Sequence, residues 1–254
     1  MEFATILGIV LTFGGIGIGF ALEGGNFNAL LGISPIFIVL VGSVGCAMTS
    51  FTLKEMLGIP EYFMDSIQQP KGGGAQLKAL IEVIVNLAEK ARREGILSLE
   101  ADITGELSNP KYDPILKKGV RLMVDGTEPE LIKDMMENEI YIYEHHKKIG
   151  VAVFEALGGF CPTLGVLGTV MGLIQVLGNM SNPDELAKSV ALAFVATLYG
   201  VGFANAIFLP IGVKLKGKLQ KEILQKELLL AAILSIQSGE NPRILREKLE
   251  VFAH

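Results

Sequence analysis

The sequence predicts an all-α membrane protein. It has four transmembrane helices, the third and fourth extended into the cytoplasm, and a helical cytoplasmic domain. Two observations carry this. Four long apolar runs, 3–22, 32–53, 151–177 and 189–213, have no charge in their middles, and each reaches the ~20 residues an α-helix needs to cross a bilayer. Half of all residues are hydrophobic and the mean hydropathy is +0.46. That apolar content is blocked rather than spread, which favours spans over one large soluble core.

The first run, 3–22, is expected to be retained as a span rather than cleaved as a leader. No Lys or Arg precedes it, it is long, and no small-residue cleavage pattern follows. The loop 23–31 holds one Glu and no Lys or Arg, and the loop 178–188 holds Asp184, Glu185 and Lys188. By contrast Lys54, Lys147, Lys148, Lys214, Lys216, Lys218 and Lys221 flank the opposite span ends. The positive-inside rule then places both termini and the long middle segment of a multi-pass membrane protein in the cytoplasm. This gives four sections: spans one and two (1–53), a cytoplasmic domain (54–148), spans three and four (149–213) and a cytoplasmic tail (214–254).

Within the cytoplasmic domain, Leu77, Leu80, Ile81, Ile84, Leu87 and Ala91 recur at helical spacing, with Gly95 as a stop. A second helix is expected over 113–125, ending at Gly126. Thr127-x-x-Glu130 is a capping-box pattern that opens a third helix, running through Tyr141 and His146 into the third span. Asn182-Pro183 supplies an N-cap and N1 proline before the fourth span. That span is expected to continue to about Ser238, with Gly239 past its end and a short helix after Asn241-Pro242. Lys71 and the glycines at 72–74 read as a flexible joint.

The chemistry of the spans is sparse. Gly158, Cys161, Gly165, Gly168 and Gly172 alternate at spacings of three and four, one helix face that lets a neighbour approach closely. Ala193, Thr197, Gly200 and Ala204 form a similar face in the fourth span. Two readings stand for Thr169 and Thr197. Their hydroxyls either back-bond to their own helices or offer oxygen to an ion in an aqueous lumen. Pro162 and Pro210 each remove a backbone donor, as a structural kink or as a hinge. Glu155 lies near the headgroups, where partial solvation competes with a gating role.

Catalytic chemistry finds no foothold. Cys46 and Cys161 fall inside spans, with no histidine at ligand spacing. His145 and His146 are adjacent and point roughly 100° apart on a helix, so they cannot share a metal. Gly15-x-Gly17-x-Gly19 lacks the strand and soluble helix that a nucleotide loop requires. No nucleophile–base pair is present, so no enzyme, resident cofactor, metal site or nucleic-acid partner is expected.

Three segments carry a family resemblance. Residues 92–100, Arg-Arg-Glu-Gly-Ile-Leu-Ser-Leu-Glu, resemble the cytoplasmic-loop motif of the MotA family of flagellar motor stator proteins. Residues 162–173, Pro-Thr-Leu-Gly-Val-Leu-Gly-Thr-Val-Met-Gly-Leu, are similar to that family's proline-containing third span, and 195–200 followed by Pro210 to its fourth. The resemblance covers essentially the whole chain. It implies a pentamer around a MotB-type single-span partner, which would carry the ion-binding aspartate that this chain lacks. It further implies torque on the rotor protein FliG through Arg92 and Glu100, and conformational coupling at Pro162 and Pro210. Threonine at 169 resembles the sodium-type stators, so the transported ion is expected to be Na⁺ rather than H⁺. Thr169 and Thr197 are the candidate ion-pathway residues. The alternatives are an energiser of outer-membrane processes similar to ExbB and TolQ, whose members have three spans, and a self-contained ion channel.

Overall fold

The structure, a computed structural model, describes residues 3–68, 74–178 and 183–253, all of it helix, turn or loop. Residues 71–73 of the expected joint and the Asn182 cap lie outside these residues, and Gly74, the joint's last residue, begins a helix. Four helices are long and apolar enough to cross a membrane.

Helix α1, Phe3–Leu22, carries no charge, and its most apolar stretch is unburied within the chain. An apolar surface of this kind costs nothing in a bilayer, whether it meets lipid or another membrane helix. The chain turns at Gly24, whose φ of 77° suits only glycine, and passes through a single helical turn, Phe27–Leu30, capped by Asn26. Helix α2, Ile33–Ser50, contains a wide-turned π segment at Phe37–Val41.

The second span ends earlier than the hydropathy suggests. Thr52 and Glu55 form a reciprocal capping box that starts a new helix, α3, Leu53–Leu57. The Thr52 amide donates to Glu55 Oε2 at 2.7 Å and holds that carboxyl below its ordinary value. Helix α4, Ile59–Ile67, follows with Pro60 in its first turn. Neither short helix was foreseen. Both are amphipathic pieces whose apolar sides reach the spans: Ile59, Tyr62 and Phe63 pack on Val151, Phe154, Ile211 and Leu215.

By packing, the chain forms two compact units, 1–69 with 148–216 and 70–147 with 217–254. Helices α3 and α4 thus side with the spans. The second unit contains α5, Gly74–Glu94, a 3₁₀ turn at Ile96–Leu99, α6, Glu100–Thr104, and α7, Pro114–Val124. Asp113 caps α7 by accepting from the Ile115 amide at 3.0 Å. Positive φ at Gly95 and Gly126 ends α5 and α7 where the sequence places their stops.

Helix α8, Pro129–Gly178, is continuous for 50 residues, about 75 Å at the standard rise. The fourth span comprises α9, Pro183–Phe203, a π segment at Ala204–Phe208, and α10, Leu209–Gln237. The π turn has a local cause. Pro210 has no N–H to give the carbonyl four residues earlier, and a widened turn just before it absorbs the missing bond. Gly239, at φ 70°, closes α10, and α11, Pro242–Glu250, is capped by Asn241.

The second unit has a conventional core. Ile84, Leu116, Ile132, Leu228, Ile233 and Leu245 are all fully enclosed, each contributing about 1.5–3 kcal/mol of burial. Polar ties surround it. Lys226 meets Asp113 at 2.6 Å and lies 4.4 Å from the Tyr143 ring centre, and Arg246 pairs with Glu82.

Candidate functional site

The site grows from the glycine stripe. At Gly165 an added Cβ would stand 2.9 Å from the Ala196 carbonyl oxygen, and at Gly200 one would stand 2.5 Å from the Cys161 carbonyl oxygen. Gly168 and Gly172 meet the β-carbons of Ala196 and Ala193 in the same way. Helices α8 and α9 therefore touch backbone to backbone, the geometry that small residues permit in lipid. Cys161 is buried in this seam beside Val39 and Ala204.

Thr169 and Thr197 face each other across this contact, and their hydroxyls are hydrogen-bonded to one another. Thr169 Oγ1 also lies 3.1 Å from the Gly165 carbonyl and 3.0 Å from the Ala193 carbonyl, and Thr197 Oγ1 lies 3.3 Å from the Gly165 carbonyl. Each hydroxyl has one proton and two lone pairs. One proton is consumed between the hydroxyls and the other on a carbonyl, which leaves acceptor lone pairs on both oxygens. Back-bonding and oxygen supply, which the sequence leaves as alternatives, thus coexist at one place. The cluster presents hydroxyl and carbonyl oxygens and no carboxylate, so it offers ligands to a cation but no acid of its own.

Pro162 is half-buried inside α8, three residues before Gly165, and the helix continues through it. Pro210 is exposed and follows the π segment directly. Glu155 is exposed, with Gly212 close against its side chain.

Arg92 and Glu100 belong to the second unit and are separate from the hydroxyl pair. Both are exposed. Arg92 sits in the last turn of α5 and Glu100 in the first turn of α6, each at the helix end its charge favours. The Gly95 turn and the fully buried Leu99 fix the elbow between them, and Leu97 projects from it at 72% exposure.

Two features of the membrane unit escaped sequence reasoning. Tyr199 donates to the Leu30 carbonyl at 2.5 Å and accepts from the Gly32 amide at 3.4 Å, latching the loop before α2 onto the fourth span. Asn205, within the π segment, is exposed and donates to the Val201 carbonyl at 3.0 Å. An asparagine inside an apolar run was the available signal for the second. Nothing in the sequence pairs Tyr199 with Leu30.

The fold and site define a class: a four-span helical membrane protein with an oxygen-bearing seam between its last two spans, both of which continue well past bilayer length. Comparison with known proteins narrows it. Residues 108–228 match the MotA/TolQ/ExbB proton channel family. Motility protein A of Bacillus subtilis is 34% identical over 252 residues, covering 99% of this chain and 91% of that protein. Among solved structures, C. jejuni MotAB aligns at a TM-score of 0.88 with 35% identity, over 99% of this chain and 96% of that one. The flagellar MotAB stator complex of Bacillus subtilis also gives 0.88, with 34% identity over 98% and 95%. The chain belongs to the MotA/TolQ/ExbB proton channel family, in its motility protein A branch.

Proposed function

We propose that this chain is a flagellar motor stator subunit that couples ion flow to torque, with Na⁺ as the preferred ion and Thr169 and Thr197 in its pathway. The observation that carries the reading is the hydroxyl pair set in a seam without a carboxylate. Such a seam offers oxygen to a cation but needs a second chain for an ion-carrying acid. The solved relatives are MotAB complexes, and a MotB-type single-span protein with an intramembrane aspartate fits that need. The assembly is a pentamer of this chain around that partner. Na⁺ requires several oxygen ligands to replace its hydration, whereas a proton requires only the acid.

Four sections divide the labour: 1–53 and 149–213 in the membrane, 54–148 and 214–254 in the cytoplasm. Arg92 and Glu100 contact FliG, and their exposure supports this. Exposed ion pairs are worth about 0–1 kcal/mol and are screened by salt, which gives the rapid release that a stepping contact requires. Pro162 and Pro210 transmit movement between pathway and lever, the latter through the π segment beside it.

The test is Thr169→Ala in a swimming assay across a sodium titration. Losing one charge-assisted oxygen contact, about 1.5–3 kcal/mol, raises the sodium needed for half-maximal speed roughly tenfold or more. A titration identical to wild type overturns sodium ligation. Flux from this chain alone, without its partner, would instead establish a self-contained channel.

A further inference from the structure

Besides the helix seam, the membrane unit holds a cavity of about 450 Å³ between α1 and the stretch 205–214. Its size lies within the range of ligand sites, roughly 300–1,000 Å³, and no part of the ion pathway described above lines it. We propose that this cavity is a binding site for an anionic phospholipid of the cytoplasmic leaflet, with the headgroup at Lys214 and an acyl chain along α1.

Position and chemistry support this. The cavity's mouth is formed by Thr5 and Lys214, at the cytoplasmic ends of the first and fourth spans, and the Lys214 ammonium is hydrogen-bonded to Thr5 Oγ1. Lys216, two residues on and about 200° round the helix, is exposed and does not line the cavity. From that mouth the wall runs inward past Gly8 and Ile9 to Thr12, about 10 Å along α1 at 1.5 Å per residue.

The polar groups at the deep end each donate within their own helices. Thr12 Oγ1 donates to the Gly8 carbonyl at 2.9 Å, and Asn205 donates to the Val201 carbonyl at 3.0 Å. The Thr12 hydroxyl proton and one Asn205 N–H are thus engaged inside the helices, while Gly8, Ile9, Pro210 and Ile211 offer hydrocarbon. A cation and hydroxyl at headgroup depth above an apolar slot fit a phospholipid and not a soluble anion. Basic pockets between transmembrane helices on the cytoplasmic side bind anionic headgroups in this way. Gly8 leaves the slot open: a Cβ there would meet nothing within 4 Å.

The site also bears on α1 itself. No residue of that helix's most apolar stretch is fully buried within the chain, so a lipid seated between it and α10 serves as packing material at the segment that contains Pro210.

The experiment reconstitutes the full-length chain with its partner in nanodiscs of equal phosphatidylglycerol and phosphatidylethanolamine. The complex is then re-extracted in mild detergent, and retained lipid is quantified by mass spectrometry. Wild type retains phosphatidylglycerol in excess. Lys214→Gln lowers that excess about fivefold, the weight of one lysine against an anionic headgroup, and Lys214→Arg keeps it. Gly8→Leu, which fills the slot without touching charge, lowers retention of both lipids. Retention in wild type that mirrors the bulk composition, or that is unchanged in Gly8→Leu and Lys214→Gln, overturns the proposal. The Arg and Leu variants preserve the charge and the helix respectively, so a Lys214→Gln variant that fails to fold still leaves the outcome decided.

Discussion

Gly200→Ala tests the close approach of the last two spans directly. The added Cβ would lie 2.5 Å from the Cys161 carbonyl oxygen and 2.9 Å from Gly165 Cα. Both are backbone atoms and cannot rotate away. Ordinary contact begins near 3.4 Å, so α8 and α9 must separate by about 0.9 Å, the difference between 3.4 and 2.5. Overpacking of this kind costs about 1–3 kcal/mol, and the interhelical hydroxyl bond loosens with it, at about 0.6 kcal/mol in a membrane. A loss near 2 kcal/mol is expected, offset only slightly by alanine's better helix propensity. The assay is unfolding of the full-length chain by SDS titration in mixed micelles. Gly202→Ala and Gly159→Ala are the controls, because a Cβ at either position meets nothing within 4 Å; both should be neutral or mildly stabilising. If Gly200→Ala unfolds at the same SDS fraction as Gly202→Ala, the backbone contact at the seam is refuted.

Tyr199→Phe removes the latch to Leu30 and Gly32, so amide exchange over residues 27–32 should accelerate about fivefold, one hydrogen bond's worth, with exchange in α7 unchanged. Asp113→Ala loses both the α7 cap and the partner of buried Lys226; it should destabilise the chain by about 1 kcal/mol more than Asp113→Asn, which keeps the cap, as read from thermal unfolding. The Arg246 hydrogen bond lowers the Glu82 carboxyl below its ordinary 4.5 and raises Arg246. The attachment of α11 to α5 is therefore complete above the ordinary carboxylate value and is lost as pH falls through the lowered one. Limited proteolysis should show α11 loosening in acid, a dependence that Arg246→Gln abolishes.

Local signals were legible in the sequence where one residue decides the outcome. The glycine stops at 95, 126 and 239 appear as positive-φ turns, and Asn241 and Asp113 are caps. The continuous helix from the cytoplasmic segment into the third span was legible because Pro162 is the single proline between Glu130 and Gly178, and the helix runs through it. Helices α3 and α4 were not, because Leu53 sits on the end of an apolar run and hydropathy alone cannot show that Thr52 has turned to cap a new helix. The π segments also escaped. Pro210 indicates that a bond is missing, but not whether the helix answers with a kink or with one widened turn. In the candidate site, residue identities were legible while their pairing was not: Thr169 and Thr197 are 28 positions apart, and only the docking of α8 on α9 sets them face to face.

That docking joins two features which the sequence presents as unrelated. The glycine face reads as packing and the threonines as chemistry, yet both hydroxyls converge on the Gly165 carbonyl, Thr169 Oγ1 at 3.1 Å and Thr197 Oγ1 at 3.3 Å. Thr197 reaches that carbonyl because neither Gly165 nor Gly200 has a Cβ to hold the backbones apart. The hydroxyl protons are thereby committed to protein acceptors, which orients the lone pairs and spares an incoming cation the cost of reorienting them. A side chain at either glycine would leave the threonines in place and still dissolve the oxygen cluster. Ion affinity should therefore respond to Gly165 and Gly200, which offer no side-chain ligand, as strongly as to Thr169. In the proposed pathway, whose seam has no carboxylate of its own, that backbone contact is what gathers two hydroxyls and a carbonyl into one set of oxygens.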